Sequence, residues 1–139
     1  MKYLKILVAI IILTTLLSCM EFTTDDPNKA FRSWTGINEE NTEVKVLYGR
    51  YWRSAHFTLE YEAVFKMTAS KEWVNQLIEF NSLKASEGPN TPTPINDVAL
   101  DWFHPTSDYK MYTDSDRFKH LYLWIHPSSD TIYIFDRVL

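Results

Sequence analysis

In the stretch Phe57-Thr58-Leu59-Glu60-Tyr61-Glu62-Ala63-Val64-Phe65-Lys66-Met67-Thr68, every second residue is apolar. Phe57, Leu59, Tyr61, Ala63, Phe65 and Met67 alternate with Thr58, Glu60, Glu62, Val64, Lys66 and Thr68. A strand turns successive side chains to opposite faces, so a period of two predicts a long strand with one apolar face and one mostly charged. An antiparallel sheet with one side in water carries that pattern.

The neighbouring segments extend the reading. Upstream, Val44, Val46 and Tyr48 alternate with Lys45 and Leu47, which predicts a short strand, and Gly49 permits a bend after it. Downstream, Ser70 is placed to cap a helix running to about Leu83, with Glu72 in its first turn. Trp73, Val74, Leu77 and Phe80 fall on one face of that helix, which should cover the apolar side of the sheet. Gly88-Pro89 and Thr91-Pro92-Thr93-Pro94 predict a stiff exposed loop, and Trp102-Phe103-His104-Pro105 an aromatic cluster within a loop. Leu121, Leu123 and Ile125 then alternate with His120, Tyr122, Trp124 and His126. After a turn at Pro127-Ser128-Ser129-Asp130, Ile132, Ile134 and Val138 alternate with Tyr133, Phe135 and Arg137. These two runs predict a terminal β-hairpin. The expected fold is α+β: an antiparallel sheet of about four strands packed against one main helix, ending in that hairpin.

The amino-terminal end is of another kind. Lys2 and Lys5 precede an apolar run from Ile6 to Leu17 that only Thr14 and Thr15 interrupt. About a dozen apolar residues are too few for a bilayer core, which needs about 20. A charged start and a short apolar run read as a signal peptide. The run ends in Leu16-Leu17-Ser18-Cys19, which resembles the lipobox of bacterial lipoproteins. That resemblance implies cleavage after Ser18, a diacylglycerol on the Cys19 sulfur and an acyl chain such as palmitate on the new terminus. One acyl chain anchors only marginally, whereas several on one residue hold firmly. Residues 1–18 would be the signal peptide, 19–35 the lipidated cysteine and a flexible tether that Phe31 and Trp34 dock onto the domain, and 36–139 a single α+β domain. The implied address is a bacterial membrane, facing the periplasm or the exterior. Met20, where enteric-type bacteria place an aspartate for inner-membrane retention, leans it to the outer membrane. Gly36-Ile37, Tyr48-Gly49-Arg50-Tyr51-Trp52 and the Lys71-Glu72-Trp73 helix resemble small uncharacterised bacterial lipoproteins, a likeness that brings no activity with it.

Composition narrows the chemistry. The 139 residues carry 14 Lys and Arg against 18 Asp and Glu, a net charge of −4. Loss of residues 1–18 takes two lysines away, leaving 12 basic against 18 acidic residues and a charge of −6. That balance argues against nucleic acid as a partner. Cys19 is the only cysteine, so its lipidation would remove thiol chemistry from the rest of the chain. His120 and His126 lie about 20 Å apart along one strand, too far to share a metal. No feature asks for a cofactor. Ser128, Ser129 and Asp130 beside His126 read as turn residues rather than a nucleophile and its base. Glu60 and Glu62, on one strand face with Cα atoms about 7 Å apart, fit a glycosidase carboxyl pair, set against a plain solvated face.

The excess of aromatic residues points elsewhere. Tyr48, Tyr51, Trp52, Trp102 and Phe103, interleaved with Arg50 and Arg53, suggest a binding surface, because tyrosine and tryptophan give large contacts with a polar tip. The alternative for most of them is a second small core beneath the long loops. The expected function is a non-catalytic envelope module binding an envelope or secreted protein, with an immunity protein as one form. A glycan hydrolase using Glu60 and Glu62, and a purely structural lipoprotein, are the alternatives.

Overall fold

The structure is a computed structural model that describes residues 20–55, 60–86, 100–114 and 119–138. The lipobox with Cys19, His56 and the residues 57–59 that open the quoted stretch, and the proline-rich loop lie outside the described residues. The fold is α+β; among the described residues it has two α-helices and a seven-stranded antiparallel sheet in the order β1-β2-β3-β7-β6-β5-β4. The strands are β1 (Phe22–Thr24), β2 (Val44–Arg53), β3 (Tyr61–Ala69), β4 (Lys84–Ser86), β5 (Lys110–Thr113), β6 (Lys119–Ile125) and β7 (Thr131–Val138). The helices are α1 (Pro27–Thr35) and α2 (Lys71–Phe80). The expectation of about four strands and one helix therefore falls short by three short strands and one helix. Among the described residues no helix is long and apolar enough to cross a membrane.

Residues 22–35, read from sequence as tether, are built into the domain. Asp26 caps α1 by accepting the Lys29 N–H at 2.9 Å, Pro27 opens it, and Gly36 closes it in the left-handed conformation at φ 78°. Ala30 and Phe31 are fully buried, and burying a phenylalanine contributes about 2–3 kcal/mol. Only three apolar residues in nine make that contact, which is why polar composition masks the helix in the sequence.

The hairpin forms as its alternation predicts, with Ile125 opposite Ile132 and Leu123 opposite Ile134. Ser70 caps α2 by accepting the Trp73 N–H at 3.1 Å, while its own hydroxyl donates to the Glu43 carboxylate. The helix stops at Phe80, three residues earlier than the spacing suggested. Asn81 turns its side-chain amide back onto the Leu77 carbonyl at 2.9 Å, and Ser82 takes a positive φ of 53°. Val74 is buried, with Trp73, Leu77 and Ile78 packed half-buried around it, but Phe80 is 90% exposed. The expectation that Phe80 covers the sheet is thus corrected.

Both faces of the sheet carry a core. One holds Val44, Val46, Ala63, Phe65, Met67, Leu121, Leu123, Ile132 and Ile134 under the helices. The face expected to be wet carries a second core, in which Val64, Met111, Trp124, Tyr133 and Phe135 pack with Phe103 from the loop before β5. Phe103 meets Trp124 and Tyr133 edge-on, at 5.6 and 5.4 Å between ring centres.

In β2 the register shifts between Val46 and Tyr48, leaving Leu47 as an extra, exposed residue. The bulge corrects the expected alternation: Val46 stays under the helices, while Tyr48 joins Lys66 and Tyr133 on the other face. Gly49 lies inside β2 and is no bend. A Cβ there would come within 2.9 Å of the Phe65 ring and 3.3 Å of the Pro27 backbone. The bare backbone is what lets α1 and Phe65 close over it. Gly49→Ala should destabilise the protein by about 1–3 kcal/mol in urea unfolding, the usual cost of overpacking a core.

Candidate functional site

The residues proposed from sequence as a binding surface divide between the two faces. Tyr48, Arg50 and Trp102 converge. Tyr48 stacks on Trp102 with ring centres 5.5 Å apart and planes 15° from parallel. Three segments assemble this patch: the start of α1, the bulged strand β2 and the loop at Leu100–Trp102. They bound a groove of about 300 Å³ whose lining includes Asp25, Tyr48, Arg50, Asp101 and Trp102. Arg50 Nε lies 3.6 Å from the Asp25 carboxylate. The Lys66 ammonium sits between Tyr48 and Tyr133, 5.9 and 5.5 Å from their ring centres.

The other members of the set do other work. Trp52 shares the face of Tyr48 and Arg50, and its indole N–H donates to Glu21. Phe103 is a core residue. Tyr51 and Arg53 point to the helix-covered face, where Tyr51 is buried and stacks on Tyr61 at 6.0 Å.

Glu62 is 4% exposed and accepts two hydrogen bonds from Arg137 on β7 through a single oxygen, Oε2. Its neighbour Glu60 precedes β3 and is half-buried. The pair is therefore unequal: one carboxylate is committed to a strand-to-strand ion pair. Arg137 also lies over the Phe135 ring, 4.8 Å from its centre.

His126 Nδ1 accepts the Ser128 N–H at 3.2 Å, a turn interaction as expected. Between this turn and α2 opens a second cavity, of about 440 Å³, floored by Val74, Ile78, Ile125 and Ile132. Among the described residues no three His, Cys, Asp or Glu side chains are grouped to hold a metal ion. His56 and Cys19 lie outside the described residues.

One polar cluster escapes the sequence reading. Asp136 is 3% exposed, and its Oδ2 accepts both the Trp34 indole N–H at 2.8 Å and the Tyr61 hydroxyl at 2.7 Å. Its Oδ1 is buried with no hydrogen-bond partner among the described residues. Ala63, directly opposite Asp136, leaves room for the indole, which packs 5.2 Å from Phe65. The signal was an acidic residue in the apolar register of a strand, at the position after Ile132 and Ile134. Burial, then the charge and hydrogen bond of Asp136, push the Tyr61 phenol far above its usual pKa. Tyr51 rises too, mainly by burial, with Arg53 opposing and Asp136 adding to the shift.

The chain matches no protein-family model, curated protein or solved structure with which it was compared.

Two expectations test these assignments. Glu62→Gln removes the charge that answers Arg137 and should cost about 2–4 kcal/mol in urea unfolding, whereas Glu60→Gln should change stability by under about 0.5 kcal/mol. Equal effects would show that the ion pair is not structural. Tyr61→Phe should cost about 1–2 kcal/mol near neutral pH. The wild-type phenol keeps its proton in the folded state above pH about 10, where the unfolded chain releases it. Stability should therefore fall as pH rises past 10, and the fall should be shallower in Tyr61→Phe.

Proposed function

We propose that this protein is a lipid-tethered, non-catalytic module of the bacterial envelope that binds a protein partner through the face bearing Tyr48, Arg50 and Trp102. The observation that carries the reading is the parallel Tyr48–Trp102 stack at the mouth of a groove. Tyr48 is 48% exposed there, although the same face holds a covered core a few ångströms away. Aromatic side chains with arginine beside them are the commonest anchors of protein interfaces. Strand β2 and the start of α1 hold Tyr48 and Arg50, and Trp102 is held from the loop by its stack on Tyr48, which limits the ordering needed on binding.

The lipid anchor at Cys19 rests on the lipobox resemblance and restricts partners to those reaching a membrane surface. An acidic inhibitor of a basic secreted protein, of the immunity type, is the concrete form that suits a chain of net charge −4. The commitment of Glu62 to Arg137 weighs against a hydrolase built on Glu60 and Glu62.

Full-length protein extracted in detergent from its host should retain an envelope partner. Tyr48→Ala should lower recovery about tenfold while leaving the thermal transition near the wild-type value. Equal recovery by the variant would contradict the assignment of the face. Cys19→Ala should move the protein from the membrane to the soluble fraction, and continued membrane attachment would refute lipidation.

A further inference from the structure

The groove beside the Tyr48–Trp102 stack has a particular charge balance. Arg50 is its only basic lining residue among those described, and its side chain is 15% exposed. Asp25 answers it from the rim, with a side chain 73% exposed. Asp101 lines the same groove, is exposed, and has no ion-pair partner among the described residues. Lys66, on the same face of the sheet, is held over Tyr48 and Tyr133. The groove thus joins an aromatic pair to two exposed acidic residues, and its one basic lining residue is the least exposed of the charged three. The whole chain, at −4, adds to the same sign.

We infer that the groove receives a basic side chain, an arginine or lysine, from the partner protein. This inference rests on the binding role proposed above and names the chemistry that role recognises. An arginine fits all three features. Its planar guanidinium stacks on an indole or phenol, its N–H groups bond carboxylates in pairs, and its aliphatic stem lies along aromatic surface. Asp101 is the carboxylate available for it. Asp25 is shared with Arg50 and supplies the second, weaker contact. An acidic side chain entering the groove would face both aspartates, and a neutral sugar would gain stacking without using either charge.

The test uses the full-length protein in detergent micelles with N-acetyl-arginine methylamide as the probe. The reporter is the Trp102 indole N–H resonance, identified by its loss in Trp102→Phe. N-acetyl-citrulline methylamide, the neutral isostere, and N,N′-diacetylchitobiose, a neutral sugar, are run beside it. The arginine probe should shift the Trp102 resonance saturably. The citrulline probe should bind about threefold or more weakly, the scale of one exposed ion pair, and Asp101→Asn should weaken the arginine probe by a similar factor. Tyr48→Ala should weaken both amino-acid probes. Equal shifts from arginine and citrulline, no shift from either, or a shift from the sugar alone would each overturn the inference. The binding role itself fails on a different result, namely equal partner recovery by wild type and Tyr48→Ala. If Tyr48→Ala loses the partner while Asp101→Asn retains it in full, the face stands and the basic anchor falls.

Discussion

The pairing of β3 with β7 is the constraint on which the other contacts depend. It places the last strand at the centre of the sheet, joining the half β1-β2-β3 to the half β4-β5-β6. Two adjacent residues of β7 then act in opposite directions. Asp136 points under the helices and holds Trp34 of α1 and Tyr61 of β3, while Arg137 points to the other face and holds Glu62. A slip of one residue would exchange the faces of every side chain in the strand. It would set Asp136 beside Glu62 and bury Arg137 beneath α1, both strongly unfavourable without compensating partners. The register is therefore fixed by polar groups as well as by Ile132, Ile134 and Phe135.

With that seam set, the covering layers determine what remains for function. The helices lie on one face, and the loop carrying Phe103 lies on part of the other. The bulge at Leu47 then decides the fate of Tyr48. Without it, Tyr48 would continue the face of Val44 and Val46 and enter the core beside α1. With it, Tyr48 stands next to Trp102, at the border between the second core and water. One extra backbone residue thus converts a core aromatic into a surface one, which is how bulges commonly re-aim side chains near functional sites.

The alternating strands were legible in the sequence because burial on one face imposes a period of two. Hence Leu121, Leu123 and Ile125 against Tyr122 and Trp124 were assigned to their faces directly, as was the cap at Ser70. The bulge was not legible, since Val44, Val46 and Tyr48 keep an uninterrupted alternation and the irregularity comes from pairing. Helix α1 was overlooked although Asp26-Pro27 and Gly36 mark both its ends, because its apolar stripe is only Ala30, Phe31 and Trp34. The second core was legible only as an aromatic surplus: which rings are buried depends on a loop reaching back over the sheet. Of the candidate surface, Tyr48, Arg50 and Trp102 meet, but nothing in local sequence separates them from Tyr51, which one further step along the strand sends to the opposite face.

The central claim is that Tyr48 lies at an interface rather than on an idle surface. A photo-crosslinking amino acid placed at position 48 in living cells tests it most directly, with the same residue at position 80 as the comparison. Phe80 is the more exposed of the two, 90% against 48%, so simple accessibility favours position 80. The account predicts one discrete adduct of defined mass from position 48 and none of that mass from position 80. No adduct from position 48, or the same adducts from both, would contradict it.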